Sequence, residues 1–168
     1  MSQKTLKSVS IVIQGLSKLG SVNNMMIPAR GRKGHWVYSG NYRKAKNDVE
    51  AYLDEHYAHL QNYLADHPEF YYTTVEYIAW DNWLTKNSNY QKLRKKDVGN
   101  FIKNAEDVIF TFLGVDDSSI IESNIMKGNL KQGESVALQC VVNLYEMDTK
   151  ALDRAGRDIR QDLNKSVS

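Results

Sequence analysis

Side chains able to bind a cation or a phosphate are concentrated between positions 97 and 117. Carboxylate oxygens are the ligands that hard divalent cations prefer, and a lysine ammonium pairs with phosphate oxygens. On a helical wheel, the polar members of the segment 100–107 fall on the face opposite its apolar stripe. The candidate set is Asp97, Asn100, Lys103, Asp107, Asp116 and Asp117.

Each of these residues also has an ordinary structural interpretation. Asp97 is placed to cap a helix or to balance the basic run before it. Lys103 and Asp107 have the spacing of an exposed i,i+4 ion pair, and Asp116-Asp117 are typical turn residues. A 14-residue helix spans about 20 Å. The acidic residues at its two ends therefore meet only if the chain after Gly114 runs back along the helix.

The apolar pattern predicts the elements that position this set. We expect strands over 7–14 and 70–80, and helices over 42–66 and 100–113, with Gly114 at the position after the second helix. Two further strands are expected over 119–126 and 134–146, joined by a hairpin-like connection at 128–133. This order predicts a single α+β domain over 1–146, with a mixed β-sheet packed against two main helices. Residues 147–168 are expected to form a charged tail or helix.

Charge is segregated along the chain, although the net charge is only +2. Residues 28–47 carry six Lys or Arg and no acid, and residues 82–96 carry five Lys or Arg and no acid. Such segments indicate a locally positive surface suited to an anionic partner, or else a set of solvated loops.

Several classes of protein and site are excluded. The apolar runs are too short for a membrane span, and the first ten residues lack the apolar core of a signal peptide. Cys140 is the only cysteine, so an internal disulfide is excluded and a reducing compartment is expected. No cysteine or further histidine is spaced to complete a zinc site with the histidines of the sequence. The sequence also has no phosphate-binding or dinucleotide-binding loop motif. We therefore expect neither a membrane partner nor an organic cofactor.

The spacing of the set resembles the RusA family of Holliday junction resolvases, which phages and prophages largely encode. That family carries a basic run, an Asp-x-Asp-Asn-x-x-Lys motif that opens a helix, an Asp four residues later, and an Asp-Asp pair. Ser21-Val22-Asn23-Asn24 and the basic, aromatic stretch 35–43 also resemble the N-terminal part of the family. The resemblance covers about residues 8–146. The matching residues are Arg94–Lys96, Asp97, Asn100, Lys103, Asp107 and Asp116-Asp117.

The resemblance implies a Mg²⁺-dependent endonuclease, with Mn²⁺ as a possible substitute. Asp97, Lys103 and Asp117 would be the catalytic residues, and the metal ligands would be Asp97, Asp107, Asp116 and Asp117. Gly99 stands where the family has its second aspartate, which removes one carboxylate. Asp107, Glu106 or Asp116 are candidates to compensate, and the wheel favours Asp107.

The same resemblance implies branched DNA as the substrate, a homodimer, and an intracellular, cytoplasmic location in a bacterium or an infected cell. The phosphate contacts are then expected from Lys33, Arg43, Lys92, Arg94, Lys95, Lys96 and Asn100. Trp36, Tyr38 and Tyr42 are candidates either to stack on bases at the branch point or to cover the first helix. Two other functions stay open: a junction-binding protein weakened or inactivated by Gly99, and a module that binds an acidic protein.

Overall fold

A four-stranded mixed β-sheet carries two α-helices on one face. The computed structural model describes residues 5–16, 26–31, 33–87, 90–93 and 98–147. A one-turn 3₁₀ helix covers Ala58–Leu60 and another covers Asp117–Ser119. The longer elements are β1 (Thr5–Leu16), β2 (Met26–Pro28), β3 (Trp36–Tyr38), α1 (Gly40–His56), β4 (Tyr71–Asp81), β5 (Leu84–Asn87), β6 (Tyr90–Leu93), α2 (Val98–Leu113), β7 (Ile120–Asn129) and β8 (Val136–Glu146).

The strand order in the sheet is β1-β8-β4-β7. β8 pairs antiparallel with both β1 and β4, whereas β7 pairs parallel with β4. The predicted α+β class with a mixed sheet is confirmed. The predicted hairpin between the last two strands is wrong, because β4 lies between β7 and β8 and the loop after β7 crosses the end of β4. α2 is the crossover that makes the parallel pairing possible.

The core lies between the sheet and the helices. Alternate residues of β1 and β4, such as Val9, Ile11, Val75 and Tyr77, are buried, and their neighbours in the strands are more exposed. This alternation is typical of a sheet covered on one face. The buried α1 side chains of this core are Val49 and Leu53; Tyr42 and Ala45 are buried nearer the start of the helix.

α1 ends ten residues earlier than the apolar pattern predicts. Tyr57 leaves the helical conformation, and its hydroxyl donates to the Val12 carbonyl oxygen at 3.2 Å. The following segment then turns toward the end of α2, where the backbone N–H of Asn62 donates to the Phe112 carbonyl and that of Leu64 to the Leu113 carbonyl. Carbonyls at a helix C-terminus lack intrahelical partners. The segment after Tyr57 supplies hydrogen-bond donors to two such carbonyls of α2, and it does so in place of a longer α1.

The end of α2 agrees with the sequence prediction. Gly114 has a φ of +80° and follows the last helical residue. Its N–H and that of Val115 both donate to the Phe110 carbonyl oxygen, which is a glycine-type helix ending. The chain therefore reverses directly after the helix.

Two small antiparallel ribbons, β2–β3 and β5–β6, lie in the segments expected to be polar, basic connections. Several predicted residues fall outside the described part of the chain: Asp97, Arg94, Lys95, Lys96 and the tail from 148 onward. Within the described part, no helix has the length and apolar character needed to cross a membrane.

Candidate active site

The side-chain ammonium of Lys103 lies at the centre of three carboxylates. Its Nζ is 2.8 Å from Asp117 Oδ2, 3.0 Å from Glu106 Oε1 and 3.3 Å from Asp107 Oδ1. The structure thus brings together Lys103, Asp107 and Asp117, three of the residues that the sequence predicts for the site, with Glu106, which was predicted only as a possible substitute for the missing carboxylate.

Two elements supply this cluster. Lys103, Glu106 and Asp107 are spaced i, i+3 and i+4 on α2, so their side chains share one face of the helix. Asp117 is the first residue of the 3₁₀ turn after α2. Because the chain reverses at Gly114, that turn runs back beside the helix, and Asp117 reaches a lysine 14 positions earlier in the sequence.

Glu106 connects the cluster to the core. Its Oε2 accepts a hydrogen bond of 2.8 Å from the hydroxyl of Tyr77, a fully buried residue of β4. Glu106 is itself only 9% exposed. Burial raises the pKa of the Tyr77 hydroxyl, and the neighbouring Cys140 and Glu106 raise it further, so Tyr77 stays a hydrogen-bond donor at neutral pH. Each Glu106 oxygen therefore has a partner, and the carboxylate is held in one orientation.

The carboxylates keep Lys103 charged. Partial burial alone would lower the pKa of the ammonium, but hydrogen bonds to Asp117 and Glu106 outweigh burial and hold the pKa well above its ordinary value. A permanent cation at this position neutralises part of the acidic charge around it. It also places a donor where the oxygens of a phosphate group can be bound.

Asp116 lies beside the cluster without contacting Lys103. Its carboxylate accepts a hydrogen bond of 2.8 Å from the Ser118 backbone N–H, which caps the 3₁₀ turn and lowers the pKa of the Asp116 carboxyl. Asp107, Asp116 and Asp117 nevertheless line one surface depression of about 500 Å³. All three aspartates thus face the same space beside Lys103.

The donor set of this depression has the right chemistry for a hard divalent cation. Carboxylate oxygens already surround one cation here, the Lys103 ammonium, at 2.8–3.3 Å. In the described ranges no group of three His, Cys, Asp or Glu side chains is close enough to hold a metal ion by itself. Asp97, the other predicted ligand, lies outside those ranges.

The predicted DNA contacts lie on separate elements. Lys33 is exposed in the turn between β2 and β3, and Arg43 is exposed in the first turn of α1. Lys92 belongs to β6, and Asn100 to the first turn of α2.

The three candidate aromatic residues differ in exposure. Tyr42 is a buried residue of α1, whereas Trp36 and Tyr38 are 59% and 49% exposed on β3. Tyr38 stacks on Tyr42, with ring centroids 5.2 Å apart.

Gly99 is the position where the chain departs from the predicted motif, and Glu106 is one of the residues predicted as able to compensate. Gly99 lies on α2 four residues before Lys103, so a carboxylate there would be within reach of the ammonium. The signal that identifies Glu106 is an acid three residues after Lys103 on the edge of the apolar stripe. A glutamate there has to be paired to be buried.

Comparison with known protein families identifies the class of protein as an endodeoxyribonuclease. Residues 20–138, more than half of the chain, match the family described as endodeoxyribonuclease RusA. The chain belongs to the RusA family, which comprises endonucleases that resolve Holliday junctions, and the resemblance seen in the sequence is confirmed. No curated protein matches the chain. Nucleases of this type are in general metal-dependent, and their substrates are branched DNA junctions.

Proposed function

We propose that this chain is a Mg²⁺-dependent, structure-selective endonuclease that resolves Holliday junctions and other branched DNA by paired symmetric nicks. Its role would be in DNA recombination and repair, in the cytoplasm of a bacterium or an infected cell. The observation that supports it best is the convergence of Asp117, Asp107 and Glu106 on Lys103, beside a depression open to solvent.

The chemistry required is hydrolysis of a phosphodiester, in which a water oxygen bonds to phosphorus and a sugar oxygen leaves with a proton. Mg²⁺, or Mn²⁺ in its place, would make a nearby water easier to deprotonate and would neutralise charge on the phosphate. We assign catalytic roles to Asp97, Lys103 and Asp117. The carboxylates proposed to hold the metal are those of Asp97, Asp107, Asp116 and Asp117.

Lys103 is proposed to bind the scissile phosphate or to orient the attacking water. The Lys103 side chain is 45% exposed, and two of the carboxylates it contacts, those of Asp107 and Asp117, line the depression. Glu106 contacts the same ammonium from the core side. The hydrogen bond from Tyr77 would keep Glu106 against Lys103 when Asp107 and Asp117 turn from Lys103 to a bound metal ion.

Binding of the junction is proposed to rest on phosphate contacts, which supply most of the affinity of proteins for DNA. The proposed contacts are Lys33, Arg43, Lys92, Arg94, Lys95, Lys96 and Asn100. A four-way junction has approximate two-fold symmetry, so two symmetric nicks call for a homodimer with two-fold symmetry. Residues 1–146 would form the nuclease domain and 147–168 a charged extension.

The test is a nicking assay of the full chain on a synthetic four-way junction with Mg²⁺. We expect symmetric nicks that fall by at least 100-fold in Asp117→Asn and in Asp97→Asn. Asp48→Asn is the matched control, because Asp48 pairs with Lys44 on the surface of α1, and it should nick normally. Unchanged nicking in both site variants contradicts the proposal.

Gly99 favours one other function, that of a junction-binding member of the family whose cleavage is weakened or lost. This alternative requires tight, salt-sensitive junction binding with little nicking in either Mg²⁺ or Mn²⁺. Gly99→Asp distinguishes the two, since it returns a carboxylate one helical turn before Lys103. A large gain in nicking identifies the natural site as weakened. Nicking that stays the same or falls shows that the natural site works without this carboxylate.

A further inference from the structure

The β2–β3 ribbon exposes an unusual amount of apolar and aromatic surface. Its large side chains are 37–59% exposed, and they are Met26, Ile27, Trp36, Val37 and Tyr38. Large apolar side chains gathered on a small ribbon mark an interaction surface more often than a solvated one.

The two faces of the ribbon are different. Residues i and i+2 of a strand share a face, so Trp36 and Tyr38 lie on one face, with Val37 on the other. Met26 pairs with Tyr38 and Pro28 with Trp36, which completes the aromatic face. Successive side chains on one face of a strand are about 7 Å apart, which leaves room for a flat ring to approach either aromatic residue.

The aromatic face is connected to α2 through Tyr42. Tyr38 stacks on Tyr42, with ring centroids 5.2 Å apart. The Nδ2 of Asn104, the residue next to Lys103 on α2, donates to the Tyr42 carbonyl oxygen at 3.4 Å. Trp36, two residues before Tyr38, lies on the same face of the ribbon.

The ribbon is held firmly at its junction with α1. Ser39 follows β3 directly and caps the helix, its side chain accepting a hydrogen bond of 3.2 Å from the Tyr42 N–H. The position of β3 relative to α1 is therefore set by a helix cap and a ring stack.

The charge around this face selects the kind of partner. The turn of the ribbon carries Arg30 and Lys33, and Arg43 lies one turn into α1, whereas no acid occurs between residues 28 and 47. A partner that offers flat rings beside negative charge fits such a surface. Unpaired DNA bases attached to a phosphate backbone have both properties.

We propose that the β2–β3 ribbon recognises the branch point of the DNA, with Trp36 and Tyr38 stacking on unpaired bases at the core of the junction. This inference rests on the proposed function and adds the element that distinguishes branched DNA from a plain duplex. In a duplex the bases are stacked on one another, so none is free to stack on Trp36 or Tyr38. The phosphates, in contrast, are available to Arg30 and Lys33 in a duplex as well as in a junction.

The experiment compares two variants from opposite faces of the same ribbon. Trp36→Ala removes an exposed ring, and Val37→Ala removes a side chain that is 43% exposed on the other face. Binding of the full chain to a four-way junction and to a duplex of equal phosphate number is measured without Mg²⁺, so that no cleavage occurs. The junction carries 2-aminopurine at its branch point, because stacking on an aromatic ring quenches this base.

We expect Trp36→Ala to bind the junction roughly tenfold more weakly, as loss of one stacked base predicts, and to leave duplex binding within twofold. Quenching of 2-aminopurine by the wild type and by Val37→Ala should be lost in Trp36→Ala. Equal effects of the two variants, or an equal loss on junction and duplex, overturn the inference while the proposed function stands.

A change of oligomeric state in Trp36→Ala, measured by light scattering, identifies the ribbon as a contact between copies and also overturns the inference. A wild-type protein that binds junction and duplex equally and nicks neither contradicts the proposed function itself, and the role of the ribbon with it.

Discussion

Lys103 and Asp117 are joined by a 2.8 Å hydrogen bond between the ammonium and a carboxylate oxygen, although 14 residues separate them in the chain. Lys103 belongs to α2 and Asp117 to the turn that follows it. This contact fixes the returning chain against the helix and forms the candidate active site in the same step. Removing either residue should therefore affect both stability and chemistry.

Lys103→Met should abolish nicking and retain the fold at reduced stability. The methionine keeps the aliphatic stem but leaves three carboxylates without their shared cation. We expect nicking to fall by at least 100-fold and stability to fall by about 1–2 kcal/mol, since the cluster is partly exposed. Lys103→Arg, which keeps the charge, should recover most of the stability in urea unfolding. Equal stability of the wild type and Lys103→Met would contradict the central role of the ammonium.

The stability that Lys103 contributes should decrease with rising pH in the alkaline range. Its folded pKa is raised above the ordinary value of 10.5, so the contribution is complete below about pH 10 and is lost as pH rises toward the folded pKa. Urea unfolding of the wild type and Lys103→Met at pH 7, 9 and 11 measures it. The difference between them should be equal at pH 7 and 9 and smaller at pH 11. A stability difference that grows with pH would contradict a raised pKa of Lys103 in the folded protein.

Tyr77→Phe should destabilise the protein by about 1–3 kcal/mol, because it leaves the buried side of the Glu106 carboxylate without its donor. The matched control is Tyr72→Phe in the same strand. The Tyr72 hydroxyl is buried and has no hydrogen-bond partner among the described residues, so its removal should be neutral or stabilising. Tyr77→Phe should also lower nicking several-fold, and Tyr72→Phe should not. Equal unfolding midpoints for the two variants would contradict the importance of the Tyr77–Glu106 bond.

Gly114→Ala should destabilise the protein more than Gly34→Ala does. Both glycines have a positive φ, +80° and +79°, so both substitutions add backbone strain of about 1 kcal/mol. At Gly114 the new Cβ would also lie 2.8 Å from the Ala65 Cβ, whereas at Gly34 it meets nothing within 4 Å. We expect an additional loss of about 1–3 kcal/mol from this crowding. Thermal unfolding of the two variants side by side measures it, and similar midpoints would contradict it.

The sequence predicted the elements of the fold better than their arrangement. The β-branched residues Val9, Ile11, Val12 and Ile13 identified β1. The apolar stripe of α2 with its glycine ending identified the second helix. Strand order depends on contacts between residues far apart in the chain, and proximity in sequence wrongly suggested that β7 and β8 pair. The apolar pattern that predicted α1 as far as residue 66 continues beyond the helix. In the structure, the residues after His56 form a turn whose N–H groups donate to carbonyls at the end of α2.

The candidate site shows the same division. The spacing of Lys103 and Asp107 places them on one helix face, which the sequence alone predicts. The approach of Asp117 to the same face was predicted only on the condition that the chain turns back after Gly114, which the structure shows. The participation of Glu106 could not be read from spacing alone, because it depends on Tyr77 donating from β4 beneath the helix.

The position of β8 in the sheet has a consequence for the biogenesis of the protein. β8 lies between β1 and β4, so β1, which among the described strands pairs only with β8, stays unpaired until residues 136–146 have been synthesised. Pairings between such distant segments form slowly and leave strand edges open in the meantime. We therefore expect a chain cut short before residue 136 to expose the edges of β1 and β4 and to be prone to aggregation.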